Sequence, residues 1–246
     1  PSELGQLNAL RHLELFSNLL SGTIPSKLGQ LINLKILRLF SNQFIGTIPS
    51  ELGQLTALQH LDLSSNQLSG TLGIINPALI TIRLTRNLLS GTIPAELGQL
   101  SKLEILLLSH NQLTGEIPLE LGQMQILRDL NLAVNQLSGT IPLVLGQIQS
   151  LKSLDLAINL LSGVIPSILG QLRNVTSLRL HSNQLTGTIP SELGQLTTLQ
   201  ILDLSRNQLS DTIPPALGQL GNLNTLELYS NQLTGSFPSS LTEIAS

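Results

Sequence analysis

Apolar residues recur along the chain with a period of 24 residues. Each unit contains a segment in which apolar and polar residues alternate, such as Leu13-Glu14-Leu15. Alternation with a period of two predicts a short strand with one buried face. Because the segment returns at the same phase in every unit, we expect successive units to stack and to pair these strands in parallel.

An asparagine follows each predicted strand, and its amide can both donate and accept hydrogen bonds. We therefore expect the asparagines to bind backbone groups of the buried turns. A Gly-x-Ile-Pro step then predicts a tight turn followed by an extended bend. A short helical or 3₁₀ segment comes next, as in 49–55, and we expect Gly53 to end it. The ten asparagines are Asn18, Asn42, Asn66, Asn87, Asn111, Asn135, Asn159, Asn183, Asn207 and Asn231.

These elements predict an α/β solenoid of about ten turns, one for each repeated asparagine. A parallel β-sheet should form one face, with short second strands beside it and 3₁₀ or helical turns on the opposite side. We expect residues 1–246 to form a single solenoid domain. One interval, Asn66 to Asn87, has 21 residues and lacks the Ile-Pro step, which indicates either a tolerated deletion or a local kink.

The repeated step, as in Gly22-Thr23-Ile24-Pro25, resembles that of plant-type leucine-rich repeat proteins. This class includes receptor-kinase ectodomains, receptor-like proteins and polygalacturonase inhibitors. The resemblance implies an extracellular or cell-surface location and recognition of a protein or peptide on the strand face, without catalysis. Such ectodomains usually carry caps with paired cysteines, whereas this chain has no cysteine and no visible cap. It begins at Pro1, in the phase of the Ile-Pro step, so we expect a partial array of a longer chain, head-to-tail self-association or a tolerated open end.

Composition excludes several function classes. The formal net charge is −3, so no nucleic acid partner is expected. No run approaches the roughly 18 apolar residues that a membrane span needs, and no motif indicates an enzyme, a cofactor or a metal site. Asn174-Val175-Thr176 is a candidate glycosylation sequon.

The candidate ligand-binding residues are those that point outward from the strands and vary between turns. Phe16 and Phe40 occupy equivalent positions in adjacent turns and should form an exposed aromatic pair, a kind of anchor common in binding sites. Cationic residues around and beyond this pair favour an acidic protein or peptide ligand. The complete candidate set is Phe16, Lys35, Arg38, Phe40, His60, Arg83 and Arg179.

Structural explanations exist for the same positions. Glu14, Arg38, Asp62 and Arg83 alternate in sign, which also predicts a ladder of cross-strand ion pairs. The aromatic pair could equally be an apolar patch that shields the array. Strings such as Ser21-Gly22-Thr23 predict a Ser/Thr ladder that stabilises a second sheet, with ice or polysaccharide binding as a further possibility. A structural array that stacks into a filament or layer is the main alternative to recognition. Phe44 and Phe237 are expected in the core.

Overall fold

The computed structural model describes residues 7–73 and 76–241. Its central element is one parallel sheet of ten strands arranged in sequence order, without crossovers. Equivalent positions of adjacent turns pair in register, so that Leu61 lies between Leu37 and Ile82. We call the outward side of this front sheet the strand face. Its strands are His12–Glu14, Ile36–Arg38, His60–Asp62, Thr81–Arg83, Ile105–Leu107, Asp129–Asn131, Ser153–Asp155, Ser177–Arg179, Ile201–Asp203 and Thr225–Glu227.

The predicted second strands are present in two parallel groups of six and four strands. A single bridge between Thr140 and Ser162 joins the two groups. The first group contains Ser21–Thr23, Gln43–Thr47, Gln67–Gly70, Leu88–Thr92, Gln112–Glu116 and Gln136–Ser138, and the second contains Ser162–Val164, Gln184–Gly187, Gln208–Asp211 and Gln232–Leu233.

Short 3₁₀ helices lie on the side opposite the front sheet, which we call the convex edge. Each follows a proline in an extended conformation, such as Pro118 with φ −62° and ψ 137°. The fixed φ of proline helps the chain to turn from the second strand into the helix. The expectation for Gly53 was wrong, because this glycine lies inside the helix Ser50–Gln54. The helices are Ser26–Gln30, Ser50–Gln54, Ala95–Gln99, Leu119–Gln123, Leu143–Gln147, Ser167–Gln171, Ser191–Gln195, Pro215–Gln219 and Ser239–Leu241.

The helical glycines allow adjacent turns to approach closely. A Cβ atom added to Gly98 would lie 2.2 Å from the backbone oxygen of Glu120 in the next turn. At Gly29 the same distance to the Glu51 oxygen would be 2.4 Å. The glycine is therefore needed for turn-to-turn packing rather than for ending the helix.

The asparagines form the predicted hydrogen-bonded ladder. The Nδ2 atom of Asn183 donates to the carbonyl oxygens of Leu156, Leu180 and His181 at 3.0, 3.1 and 3.3 Å. Its Oδ1 atom accepts from the backbone N–H of Leu161 at 3.0 Å. One buried side chain thus satisfies backbone groups of its own turn and of the preceding turn.

Inward-facing leucines and isoleucines fill a single core between the front sheet and the convex edge. Phe44 belongs to this core, as expected. The expectation for Phe237 was wrong, because its side chain is 65% exposed. The equivalent Ile24 is covered by the following turn and is 3% exposed, whereas nothing in the described part of the chain covers Phe237 to that extent.

The shortened turn between Asn66 and Asn87 leaves the front sheet intact. His60 still pairs with Thr81 across it, although residues 74 and 75 lie outside the described part. Asn76 is buried, donates to the Leu55 carbonyl oxygen and accepts from the Ala78 N–H. Its side chain thus provides hydrogen bonds on the side of the turn where residues are missing.

Candidate functional site

Phe16 and Phe40 form a stacked aromatic pair at the edge of the strand face. Their ring centroids are 4.5 Å apart and the ring planes differ by 5°. The predicted adjacency is confirmed, because the parallel register places equivalent residues of neighbouring turns side by side. Phe16 remains exposed, so the pair presents apolar surface to solvent as well as packing internally.

Arg38 lies next to this pair and between two carboxylates. Its Nη1 atom is 3.0 Å from the Glu14 Oε2 atom, and the sheet register pairs it with both Glu14 and Asp62. Of the four alternating charges, only Arg38 and Glu14 form an ion pair with one another within the described residues. Most of the ion pairs predicted for this ladder are therefore not formed among the described residues. The one exposed ion pair stabilises the fold by only about 0–1 kcal/mol.

His60 lies close enough to two arginines of the strand face for their charges to affect its pKa. Burial lowers its pKa, and the positive charges of Arg38 and Arg83 lower it further, against an opposing effect of Glu104. Its Nδ1 atom is 3.2 Å from the Thr81 hydroxyl. His60 is consequently neutral at neutral pH and contributes a hydrogen-bonding group rather than a charge to this surface.

The structure divides the candidate residues into two places. Six of the seven candidate residues lie in the first four turns, including Lys35, which immediately precedes the strand Ile36–Arg38. The seventh, Arg179, lies four strands beyond Arg83 in the front sheet. At the usual strand spacing of about 4.8 Å, this separation is about 19 Å. Arg179 donates to the Ser177 hydroxyl at 2.8 Å and belongs to a different polar cluster.

That second cluster was not identified from the sequence. The His181 Nδ1 atom lies 2.8 Å from the Asp203 Oδ2 atom, but the two groups lack the alignment of a hydrogen bond. The Ser205 hydroxyl donates to Asp203 Oδ1 at 2.7 Å. The Arg206 guanidinium, in the same turn as Asp203, lies 5.8 Å from the centre of the exposed Tyr229 ring of the next turn. The strand face thus carries an aromatic and cationic group at each end.

Several acidic residues of the strands have a structural role that sequence reasoning missed. The Oδ1 atoms of Asp62, Asp155 and Asp203 accept the backbone N–H two residues later, at 3.0, 3.1 and 3.0 Å. Asn131 makes the same bond to Ala133 at 3.0 Å. Short side chains with an oxygen at this position therefore fix the exit from the strand.

Asp155 is a carboxylate in an unfavourable environment. Burial raises its pKa above the ordinary value of 3.8, and the negative charge of Asp203 raises it further. The Ala157 N–H, Arg179 and His181 act in the opposite direction. The folded state therefore holds a proton on Asp155 more tightly than the unfolded state does.

We expect Asp155→Asn to be more stable than the wild type at pH 7, because asparagine keeps the bond to Ala157, as Asn131 does for Ala133, without a charge. The gain should shrink as the pH falls through the raised folded-state pKa. It should vanish below the ordinary value of 3.8, where Asp155 is protonated in both states. Urea unfolding at pH 7 and pH 3 measures the difference. Asn131→Asp is the matched control and should lower stability at pH 7; a loss of stability in Asp155→Asn there would contradict this explanation.

The second strands end in a column of exposed threonines. Their methyl groups pack on the glycine of the next turn, and a Cβ added to Gly46 would lie 3.0 Å from the Thr23 methyl carbon. The predicted stabilising Ser/Thr ladder is consistent with this packing. At the candidate sequon, Asn174 is exposed, and its Nδ2 atom donates to the Gln149 carbonyl oxygen at 2.8 Å.

None of the helices in residues 7–73 and 76–241 has the length and apolar character needed to cross a lipid bilayer. Within the same ranges, no three His, Asp or Glu side chains come together in a way that could hold a metal ion.

Two family models match the chain. One, described as Leucine rich repeat, matches residues 149–209 and 173–233. The other, described as Leucine Rich Repeat, matches residues 9–31, 33–55, 57–76 and 102–124. Comparison with curated proteins gives no match.

Solved structures share the fold over nearly the whole chain. The Arabidopsis receptor kinase HAESA, in complex with the peptide hormone IDA and the co-receptor SERK1, is 34% identical with a TM-score of 0.94, covering 99% of this chain and 41% of that chain. The plant peptide hormone receptor RGFR1, in complex with RGF2, is 37% identical with a TM-score of 0.84, covering 96% and 42%. A plant ice-binding protein is 31% identical with a TM-score of 0.75, covering 96% and 77%. The chain spans less than half the length of the receptor structures that it matches.

Repeat, fold and matches together show that the chain belongs to the leucine-rich repeat family, in its plant-type form.

Proposed function

We propose that the chain is a non-catalytic extracellular recognition module that binds a protein or peptide through its strand face. The observation that carries this proposal is the stacked pair Phe16 and Phe40 beside Arg38 on an open sheet surface. Aromatic and arginine side chains are the residues that most often dominate binding energy. Similar structures with bound peptide hormones show that this fold can perform such a role.

The charges near the aromatic pair favour an acidic ligand. Lys35 and Arg38 lie next to and in the strand Ile36–Arg38, and Arg83 lies two strands further along the front sheet. Arg38 forms an exposed ion pair with Glu14. Such a pair contributes little stability, so a carboxylate of the ligand can take the place of Glu14 at the Arg38 guanidinium. We expect the affinity to fall as salt concentration rises.

Arg179 provides a second contact for an elongated ligand. The separation of about 19 Å from Arg83 corresponds to about six residues of extended chain. Phe40 follows the second strand of the front sheet and Arg179 ends the eighth. An extended peptide that runs across the strands therefore needs about nine residues, for a distance of about 29 Å, to reach from the aromatic pair to the cluster around Arg179. We expect peptides shorter than this to bind more weakly.

The test starts from a random peptide library selected against the immobilised chain. The variant Phe16→Ala/Phe40→Ala/Arg38→Gln should bind the selected peptide at least about 100-fold more weakly, because truncating two or three anchor residues removes several kcal/mol. Phe237→Ala is the matched control, since it removes an exposed aromatic ring that lies outside the strand face. Isothermal titration calorimetry measures both. Equal binding by the triple variant and the wild type would place the site elsewhere.

Light scattering of the purified chain separates this proposal from the self-stacking alternative. A recognition module remains monomeric at high concentration, whereas head-to-tail association gives species that grow with concentration. Filaments that persist when the strand-face residues are mutated would favour the structural array.

Ice binding is a second candidate function, supported by the exposed threonine column and by the similarity to a plant ice-binding protein. Glu116 and Val164 interrupt the column. Microscopy of growing ice crystals tests this candidate, and unchanged crystal growth in the presence of the chain would eliminate it.

A further inference from the structure

Three exposed apolar side chains lie together on the convex edge, where second strands end and 3₁₀ helices begin. Leu119, Leu143 and Val164 are 64%, 64% and 59% exposed. They depart from the repeat, because the position of the two leucines is otherwise mostly serine and that of Val164 mostly threonine. The equivalents of the leucines are Ser26, Ser50, Ala95, Ser167, Ser191, Pro215 and Ser239, and those of Val164 include Thr23, Thr47, Thr92, Thr140 and Thr188.

These side chains line a groove of 460 Å³ together with Val144 and Pro166. Val144 also departs from the residue most common at its position, which is glutamate in several turns, such as Glu120 and Glu192, although the next turn has Ile168. Apolar residues thus replace polar ones at three different positions of the unit and meet on one surface. Contiguous exposed apolar surface of this kind is typical of protein interaction sites.

A second groove of 600 Å³ continues from the first and shares Leu143 and Val164 with it. Two carboxylates, Glu192 and Asp211, line this continuation. Asp211 occupies the position that is glycine in the other turns, with a φ of 69°. Glycine suits this conformation best, and aspartate is one of the few other residues that adopt it. The Asp211 Oδ1 atom accepts the Thr212 N–H at 2.8 Å.

The surrounding charge selects one kind of occupant. The convex segments 92–99, 116–123, 140–147, 164–171, 188–195 and 212–219 contain no Lys, Arg or His, whereas they contain Glu96, Glu116, Glu120 and Glu192. Two copies of this edge would bring like charges together, which opposes self-association here. A basic partner has complementary charge.

We propose that this convex groove, defined by Leu119, Leu143, Val164, Glu192 and Asp211, binds a protein segment that places leucine-like side chains next to lysine or arginine. The apolar side chain fits the first groove and the cation lies against the two carboxylates of the second. The core separates this groove from the strand face, so both surfaces can be occupied at once. The inference does not depend on the ligand proposed for the strand face.

The probe is a fluorescent heptapeptide, KKLALKK, with EELALEE as its acidic counterpart. We expect the wild-type chain to bind KKLALKK with a Kd of about 1 mM or tighter, measured by fluorescence anisotropy, and to bind more weakly as salt is added. EELALEE should not bind. Failure of the wild-type chain to bind KKLALKK, or equal binding of both peptides, would overturn the proposal.

The variants restore residues that the fold already accepts in other turns. Leu119→Ser/Leu143→Ser/Val164→Thr should weaken binding of KKLALKK by about tenfold or more. Asp211→Gly should weaken it severalfold while the thermal midpoint stays equal or rises, because glycine suits the positive φ. This opposite movement of stability and binding distinguishes recognition from a structural role.

Leu160→Gln is the matched control, because it restores the glutamine of neighbouring turns at another exposed leucine. It should leave the affinity for KKLALKK unchanged. If the triple variant binds KKLALKK as well as the wild type does, or if Leu160→Gln lowers the affinity equally, the peptide binds through nonspecific apolar contacts and the proposal is overturned. A wild-type dimer that the triple variant abolishes would show that a second copy covers the groove.

Discussion

Asn183→Ala is expected to lower the free energy of unfolding by about 3–4 kcal/mol, because it removes one acceptor and two donor protons from a buried turn and leaves backbone groups unsatisfied. Asn183 contacts three carbonyl oxygens and accepts one backbone N–H. Alanine can replace none of these contacts. Urea unfolding followed by circular dichroism measures the loss.

Asn18→Ala is the matched control for this prediction. Asn18 is exposed and, among the described residues, donates only within its own turn, to the carbonyl oxygens of Leu15 and Phe16. Its replacement should therefore cost about 1 kcal/mol or less. Equal losses in the two variants would mean that the asparagine acts through local turn geometry rather than through the link between turns.

Gly98→Ala is expected to destabilise the chain by about 2–3 kcal/mol, at the upper end of the range for overpacking. The added methyl group would lie 2.2 Å from the oxygen and 2.6 Å from the carbonyl carbon of Glu120. Both are backbone atoms, so relief requires two turns to move apart and weakens the packing of Leu97 and Leu121 between them. The midpoint of urea unfolding at constant m-value measures the effect.

Gly221→Ala provides the contrast. Apart from its two chain neighbours, no described residue has an atom within 4 Å of a Cβ built at Gly221, and its φ is not in the left-handed range. Alanine should therefore stabilise the chain slightly, by about 0.4–1 kcal/mol, by restricting the unfolded state. If Gly98→Ala were as mild as Gly221→Ala, close approach of adjacent turns would not explain the helical glycines.

The sequence predicted the parts of the structure that repeat. A period of 24 residues and parallel pairing are sufficient to bring Phe16 next to Phe40 and to orient the asparagines. It failed where one residue type has two possible roles. Gly53 could end a helix or allow close packing, and only the distance between adjacent backbones decides between them.

Side-chain pairing was less predictable for a related reason. Arg179 lies in register between Asp155 and Asp203, yet it donates to Ser177, while Asp203 lies beside His181. The aspartate oxygens are also engaged by backbone N–H groups, and these local bonds compete with cross-strand charges. The convex groove was missed because its residues occupy different positions of the unit and meet only in three dimensions.

The shortened turn shows how such arrays can diversify. Three residues are missing between Asn66 and Asn87 relative to the 24-residue period, yet His60 and Thr81 remain paired in the front sheet. Changes in length are absorbed on the convex side, while the spacing of the strands is kept. Insertions and deletions in the convex segments would therefore leave the register of the strand-face residues unchanged.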